Sequence, residues 1–171
     1  MSFADGTPPF LIRDARDGDA EQLIRLMADV FAEYPGCVLD VDGEEPDLRA
    51  IATAYAAQGG RFWVAERPAD GRVVGMVGAR PLPPSGGHWE LKKLYVDQSA
   101  RGSGLGTSLI GLVEAEATSR GAPLLELWSD TRFHTAHRLY ERLGYQRGAT
   151  LRELRDLSAS VEYHFTKALS R

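Results

Sequence analysis

The apolar positions of the chain change period several times, and each change predicts an element. Residues 10–15 read as a short strand. Leu23, Leu26, Met27, Val30, Phe31 and Tyr34 then recur three and four apart, the stripe of an amphipathic helix that stops before Pro35-Gly36. Asp19, with Gln22 three residues on, has the form of a capping box for that helix. Asp47 is placed to cap a second helix carrying Leu48, Ile51 and Tyr55, broken by Gly59-Gly60. Strands are predicted over 61–66 and 73–80, joined as a hairpin through Asp70-Gly71. A proline- and glycine-rich loop over 81–87 leads into a strand over 88–96. Helical spacing returns at Leu105, Leu109, Leu112 and Val113 and runs to about Arg120, with Gly121 as the C′ residue. A short buried strand follows over 124–128. Phe133, Ala136, Tyr140 and Leu143 form one stripe of a last helix, closed by Gly144. A strand starts at 145–147, and the alternation of Val161, Tyr163 and Phe165 with Glu162, His164 and Thr166 marks a half-exposed final strand.

A sheet that begins antiparallel and contains a strand–helix–strand crossover near its middle is a mixed α/β domain. Residues 1–9 look like a flexible arm, and 10–171 read as one domain without repeat, linker or low-complexity run. At 171 residues and 18.7 kDa the chain can bury a core of its own. A net charge of −4 argues against nucleic acid as the main partner and leaves cationic small molecules or peptides open. The single Cys37 excludes an internal disulfide framework and fits a reducing compartment. No stretch approaches the roughly 18 apolar residues of a membrane span, and no secretory signal pattern is visible. A cytoplasmic protein with no membrane partner is expected.

The segment from Leu91 to Thr107 carries the most specific chemistry. Leu91, Leu94, Tyr95 and Val96 end a strand, and Arg101-Gly102-Ser103-Gly104-Leu105-Gly106-Thr107 stands where the next helix begins. Free N–H groups and the positive end of a helix dipole attract an anion there. Glycines let a phosphate approach the main chain, and Arg101 adds a cation. The spacing is not that of a dinucleotide fingerprint, and Gly106 is followed by Thr107 rather than the lysine of a P-loop. Arg101-x-x-Gly104-x-Gly106 behind a strand ending Leu-Tyr-Val closely resembles the signature of the GNAT superfamily of acyl-CoA-dependent N-acyltransferases. Ala136-His137-Arg138-Leu139-Tyr140, followed by Gly144-Tyr145, resembles the second half of that family's cofactor site.

The resemblance implies a GNAT-like α/β fold: a mixed, mostly antiparallel sheet flanked by helices, with a central parallel strand pair that splays apart. It implies acetyl-CoA as cosubstrate, with no metal. Leu94, Tyr95 and Val96 would contact the cofactor through their backbones, and the loop Arg101, Gly102, Ser103, Gly104, Leu105, Gly106 and Thr107 would hold its pyrophosphate. Tyr140 would protonate the departing thiolate. Glu90 matches the position of a general base in some members, against the alternative of an exposed strand residue paired with Lys92 or Lys93. Where many members carry asparagine before the last helix, Ser129, Asp130 and Thr131 stand here. Family members often dimerise through their late strands, so a homodimer is a further expectation.

Other features carry less. Residues 33–47 hold Glu33, Asp40, Asp42, Glu44, Glu45 and Asp47 with no lysine or arginine. They read as a solvated acidic loop or, because the resemblance implies that this region borders the acceptor groove, as a selector of a cationic amine. Asp130 is a further candidate to touch the acceptor, and Trp128 to line the acyl pocket. His134 and His137 are taken as a helix-surface pair, and Trp63 and Trp89 as core. The reading is an acetyl-CoA-dependent N-acetyltransferase that acts on a small-molecule or peptide amine by direct attack in a ternary complex. Its rivals are an acyltransferase using another acyl group and a catalytically silent CoA-binding module. Tyr140 argues against the second, because CoA binding alone would not require a phenol.

Overall fold

The computed structural model describes residues 9–83 and 87–170. The chain runs β1 (Leu11–Asp14), α1 (Ala20–Phe31), α2 (Ile51–Ala57), β2 (Arg61–Arg67), β3 (Arg72–Pro81) and β4 (Trp89–Val96). It continues through α3 (Leu105–Ser119), β5 (Leu124–Asp130), α4 (His134–Arg142), β6 (Gln146–Glu153) and β7 (Val161–Ala168). The seven strands form one sheet in the order β1-β2-β3-β4-β5-β7-β6. Neighbours are antiparallel except β4 and β5, which are joined by the α3 crossover and run parallel. The arm expected over 1–9 lies outside the described residues but for its last residue, as does the middle of the loop expected over 81–87.

Helices cover both faces of the sheet. That is why residues 73–79 of β3 form an unbroken buried run rather than an alternating one. One core layer packs Leu23, Leu26 and Met27 of α1 and Tyr55 of α2 against Phe62, Val64 and Met76. The other packs Leu105, Leu109 and Val113 of α3 and Tyr140 of α4 against Val77, Leu125, Leu127 and Phe165. Trp63 and Trp89 are core residues. Gly78 sits where Tyr55 presses on β3: a Cβ there would lie 2.5 Å from the Tyr55 ring, so only glycine fits.

Two expected caps are replaced by longer-range contacts. Asp19 makes no capping bond to α1. Its carboxylate accepts from Arg13 at 2.8 and 2.9 Å and from the Arg16 N–H at 2.8 Å. Gln22 instead ties α1 to the β2–β3 hairpin, donating to the Gly71 carbonyl and accepting from the Val73 N–H. Asp47 lies inside a 3₁₀ turn, Pro46–Ala50, that precedes α2. β6 extends to Glu153, well past the start expected at 145–147.

The feature that shapes the site is in β4. Met76 pairs with Tyr95 but Gly78 with Lys92, so β4 carries one residue more than β3 over this stretch. The extra residue is accommodated at Lys93, whose φ of 53° is left-handed, a strained geometry for a residue with a Cβ. β4 bends there. It pairs with β5 only at Trp89–Leu125 and Glu90–Glu126, and past that point the two strands part.

Candidate active site

The parting strands leave a row of β4 main-chain groups with no strand partner on the β5 side. Exposed main-chain donors and acceptors of this kind need a partner, and a ligand bearing amides can supply one. A groove of about 420 Å³ runs along this edge to the start of α3. Leu94, Tyr95, Val96, Arg101, Gly102, Gly104, Leu105, Gly106 and Thr107 all line it. Ser103 does not; its hydroxyl donates to the Ala100 carbonyl at 2.5 Å and braces the turn. Gly104 holds φ 84° immediately before α3, and a Cβ on it would meet nothing within 4 Å. The first N–H groups of α3 therefore open onto the groove. Gly106 is different: a Cβ there would lie 2.9 Å from Leu139 of α4, so its lack of a side chain also sets the spacing of α3 and α4.

Arg101 is already engaged. Its guanidinium donates to both carboxylate oxygens of Glu33 at 2.6 and 2.7 Å, and its Nε to the Val96 carbonyl. An anion in the groove would share this arginine with Glu33. Arg138 and Arg142 line the same groove from α4. They are four residues apart on a helix and flank Leu139, a signal present in the sequence that the motif comparison passed over.

A second cavity of about 130 Å³ adjoins the groove and shares Leu94, Tyr95, Phe133 and Ala136 with it. Tyr140 lines this cavity. Its ring is 4% exposed and packs on Tyr145 and Phe165, with centroids at 5.8 and 5.4 Å. Burial pushes the phenol pKa well up, so it stays protonated at neutral pH. Trp128 and Asp130 also border the cavity. Burial alone would raise the Asp130 carboxyl, but the Arg132 guanidinium and N–H hold it below its ordinary value.

Of the acidic segment, Asp40, Glu44 and Glu45 line this cavity, joined by Asp156 from the β6–β7 connection and Glu162 from β7. The remaining members have other tasks: Glu33 holds Arg101, Asp42 pairs with Arg49, and Asp47 faces Lys93. Lys93 is the cavity's lysine, and its ammonium pairs with Glu45. The lining therefore carries more negative than positive charge. Cys37 also borders it, with its thiol pKa raised by burial, which leaves it protonated.

Glu90 is neither an exposed strand residue nor part of either cavity's lining. It is 6% exposed, and its carboxylate accepts from Arg80, the residue opposite on β3, at 2.8 and 2.9 Å. The expected pairing with Lys92 or Lys93 gives way to this bridge because the antiparallel register sets Arg80 directly beside it. His137 also departs from expectation. His134 is exposed, but His137 is buried at 5% exposure, with Nε2 3.1 Å from Ser129 Oγ. Among the described residues no three His, Cys, Asp or Glu side chains converge as metal ligands would.

Residues 23–145 match the family model described as the acetyltransferase (GNAT) family. The chain belongs to that family. A mouse protein named probable N-acetyltransferase family 8 member 5 is 32% identical over 151 residues, covering 84% of this chain. The chain spans 63% of that relative's length. A GNAT-family acetyltransferase from Staphylococcus aureus shares the fold with a TM-score of 0.79, at 22% identity over 94% of this chain and 99% of that one. A Salmonella typhimurium protein described as an acetyltransferase, solved with its cofactor acetyl-CoA, has a TM-score of 0.72 at 18% identity, covering 96% of each chain. The family's α/β fold with its parallel strand pair is thus the fold of this GNAT chain. No described helix is long and apolar enough to cross a membrane.

Proposed function

We propose that the protein is an acetyl-CoA-dependent N-acetyltransferase that acylates a small-molecule or peptide amine, cationic in its free form, by direct attack. The observation that carries this reading is the continuity of the groove with the Tyr140 cavity. A nucleotide thioester laid with its phosphates at the start of α3 and its amides along β4 would present its acyl carbon where the two spaces meet. Bound there, acetyl-CoA supplies an activated acyl carbon and a thiolate leaving group.

The chain's own residues would do the rest. The α3 N–H groups, with Arg101, Arg138 and Arg142, neutralise and orient the phosphates. Main-chain groups of Leu94 and Tyr95 hold the slot and offer an N–H to a developing oxyanion, a contribution of a few kcal/mol. Tyr140, protonated and bordering the cavity, gives its proton to the departing sulfur. Asp40, Glu44 and Asp156 attract the ammonium form of the acceptor to the cavity mouth. Cys37 is held as a neutral thiol and among the described residues has no base hydrogen-bonded to it, which supports transfer without a covalent enzyme intermediate. The single cysteine suits a cytoplasmic setting, and a homodimer through the late strands belongs to the same reading.

The test is a screen of primary amines, diamines and peptide amino termini for CoA release from acetyl-CoA, with the acetylated product confirmed by mass. Transfer to amines that carry a second positive charge is expected. Acetyl-CoA binding without transfer to any amine would favour the silent binding module.

A further inference from the structure

Ser129 and His137 form a buried polar pair between β5 and α4. They are 6% and 5% exposed, and the Ser129 Oγ lies 3.1 Å from the His137 Nε2. The imidazole packs on Tyr163 and Phe165 of β7, with centroids at 5.3 and 5.4 Å. Burying two polar side chains there costs stability relative to apolar residues of the same shape, and β5 needs neither of them for its main-chain pairing with β7. Their position gives both a use. Ser129 shares its row on β5 with Leu125 and Leu127, the row that faces α4. Beyond Glu90 that row is no longer covered by β4, and Ser129 lines the same cavity as Tyr140, which stands one turn after His137 on α4.

Four carboxylates in this region are already held by a cation. Glu90 is held by Arg80 and lines neither cavity. Asp130 is held by Arg132, Glu162 by Arg152, and Glu45 by Lys93.

We propose that Ser129 and His137 form a proton relay for the acyl transfer, with Ser129 touching the acceptor nitrogen and His137 taking the proton through it. The inference rests on the acyltransfer reading given above. The ammonium first loses one proton to solvent; as the lone pair of the resulting free amine forms the C–N bond to the acyl carbon, the nitrogen becomes positively charged and its N–H acidic. That proton passes to Ser129 Oγ while the Ser129 proton passes to His137 Nε2. The C–S bond breaks with its electron pair on sulfur, which takes a proton from Tyr140. Imidazolium and phenolate then exchange protons with solvent as products leave, so the net reaction is amine plus thioester to amide plus thiol.

The environment of the ring suits this role. Burial lowers the His137 pKa, a nearby His134 and Arg147 of β6 act in the same direction, and the Asp130 main chain and Glu141 oppose them. Tyr163 of β7 also packs against the ring. The imidazole is therefore neutral near pH 7 and free to accept a proton.

The first test is the protonation state of His137, read by ¹⁵N shifts of labelled protein. A neutral ring at pH 7 with Nε2 unprotonated is expected, with its titration displaced in Ser129→Ala. A proton on Nε2, donated to Ser129, overturns the relay. The second test follows CoA release from acetyl-CoA with 1,4-diaminobutane. Ser129→Ala, which removes one hydroxyl and is expected to fold, should lower kcat about 10²-fold with an unchanged KM for acetyl-CoA. His137→Gln should flatten the acidic limb of the pH–rate profile. Wild-type rate and profile in both variants overturn the relay while leaving the acyltransferase reading intact. If the wild type releases no CoA with any amine, the acyltransferase reading fails, and the relay fails with it.

Discussion

Replacing Tyr140 with phenylalanine removes one oxygen from the lining of the smaller cavity. The consequences can be worked from its surroundings. Among the described residues the Tyr140 hydroxyl has no hydrogen-bond partner, so the substitution breaks no internal bond. The ring contacts with Tyr145 and Phe165 survive because phenylalanine keeps the same ring. Losing a buried hydroxyl that has no partner should not destabilise the fold, because an unpaired buried polar group itself costs free energy. The catalytic change should be larger. A thiolate leaving group has a conjugate acid pKa near 8.5, so protonation helps without being indispensable. A loss near the low end of the usual 10²–10⁴-fold for a positioned acid follows. The assay is thiol release at saturating acetyl-CoA, on an acceptor for which the absence of a burst shows that chemistry limits turnover. Melting curves on the same samples check the fold. Because burial raises the phenol pKa, the wild-type rate should show no Tyr140-dependent decline up to at least pH 9. A Tyr140→Phe enzyme with wild-type kcat and an unchanged melting curve would refute the proton-donor role, and loss of folding would make the tyrosine structural.

Three more predictions address neighbouring parts of the site. Glu90→Gln should leave kcat within about twofold yet cost about 2 kcal/mol of stability, the typical size of a lost charged hydrogen bond to Arg80; a large kcat loss with an intact fold would restore Glu90 as the base. The double variant Arg138→Ala, Arg142→Ala should weaken acetyl-CoA binding about tenfold, since two partly exposed ion pairs contribute roughly 1–2 kcal/mol, and calorimetry in high salt should shrink the difference. His137 has a folded pKa below its unfolded value of about 6.5, so its stabilising contribution is present above pH 6.5 and is lost as pH falls through the folded pKa. His137→Gln should therefore lose less stability than wild type between pH 7 and 5 in denaturant titrations.

The elements legible in the sequence are those whose cause is local. Alternation and helical spacing identified the strands and helices, and the glycines before Leu105 marked a turn that must take left-handed φ. What the sequence hid depends on residues brought together by register or by the tertiary fold. Arg80 sits beside Glu90 only because β3 and β4 pair antiparallel. Arg101 meets Glu33 across 68 residues of sequence. Asp19 looked like a cap because Gln22 followed it, yet Arg13, on the adjoining strand, claimed the carboxylate. The parting of β4 from β5 needs one extra residue at Lys93, which no local pattern announces. The spacing of His134 and His137 by itself suggests only a helix-surface pair. The burial of His137 comes from β7, whose aromatic residues close over that face of α4 much later in the chain.

The central claim is that the thioester lies along β4 with its phosphates at the start of α3. Amide chemical shifts followed through a titration with acetyl-CoA test it residue by residue. Saturable shifts are expected at Leu94, Tyr95 and Val96, at Gly102, Gly104, Gly106 and Thr107, and on α4 around Arg138 and Arg142. Shifts absent at millimolar acetyl-CoA, or saturable shifts confined to another face of the sheet, would contradict it.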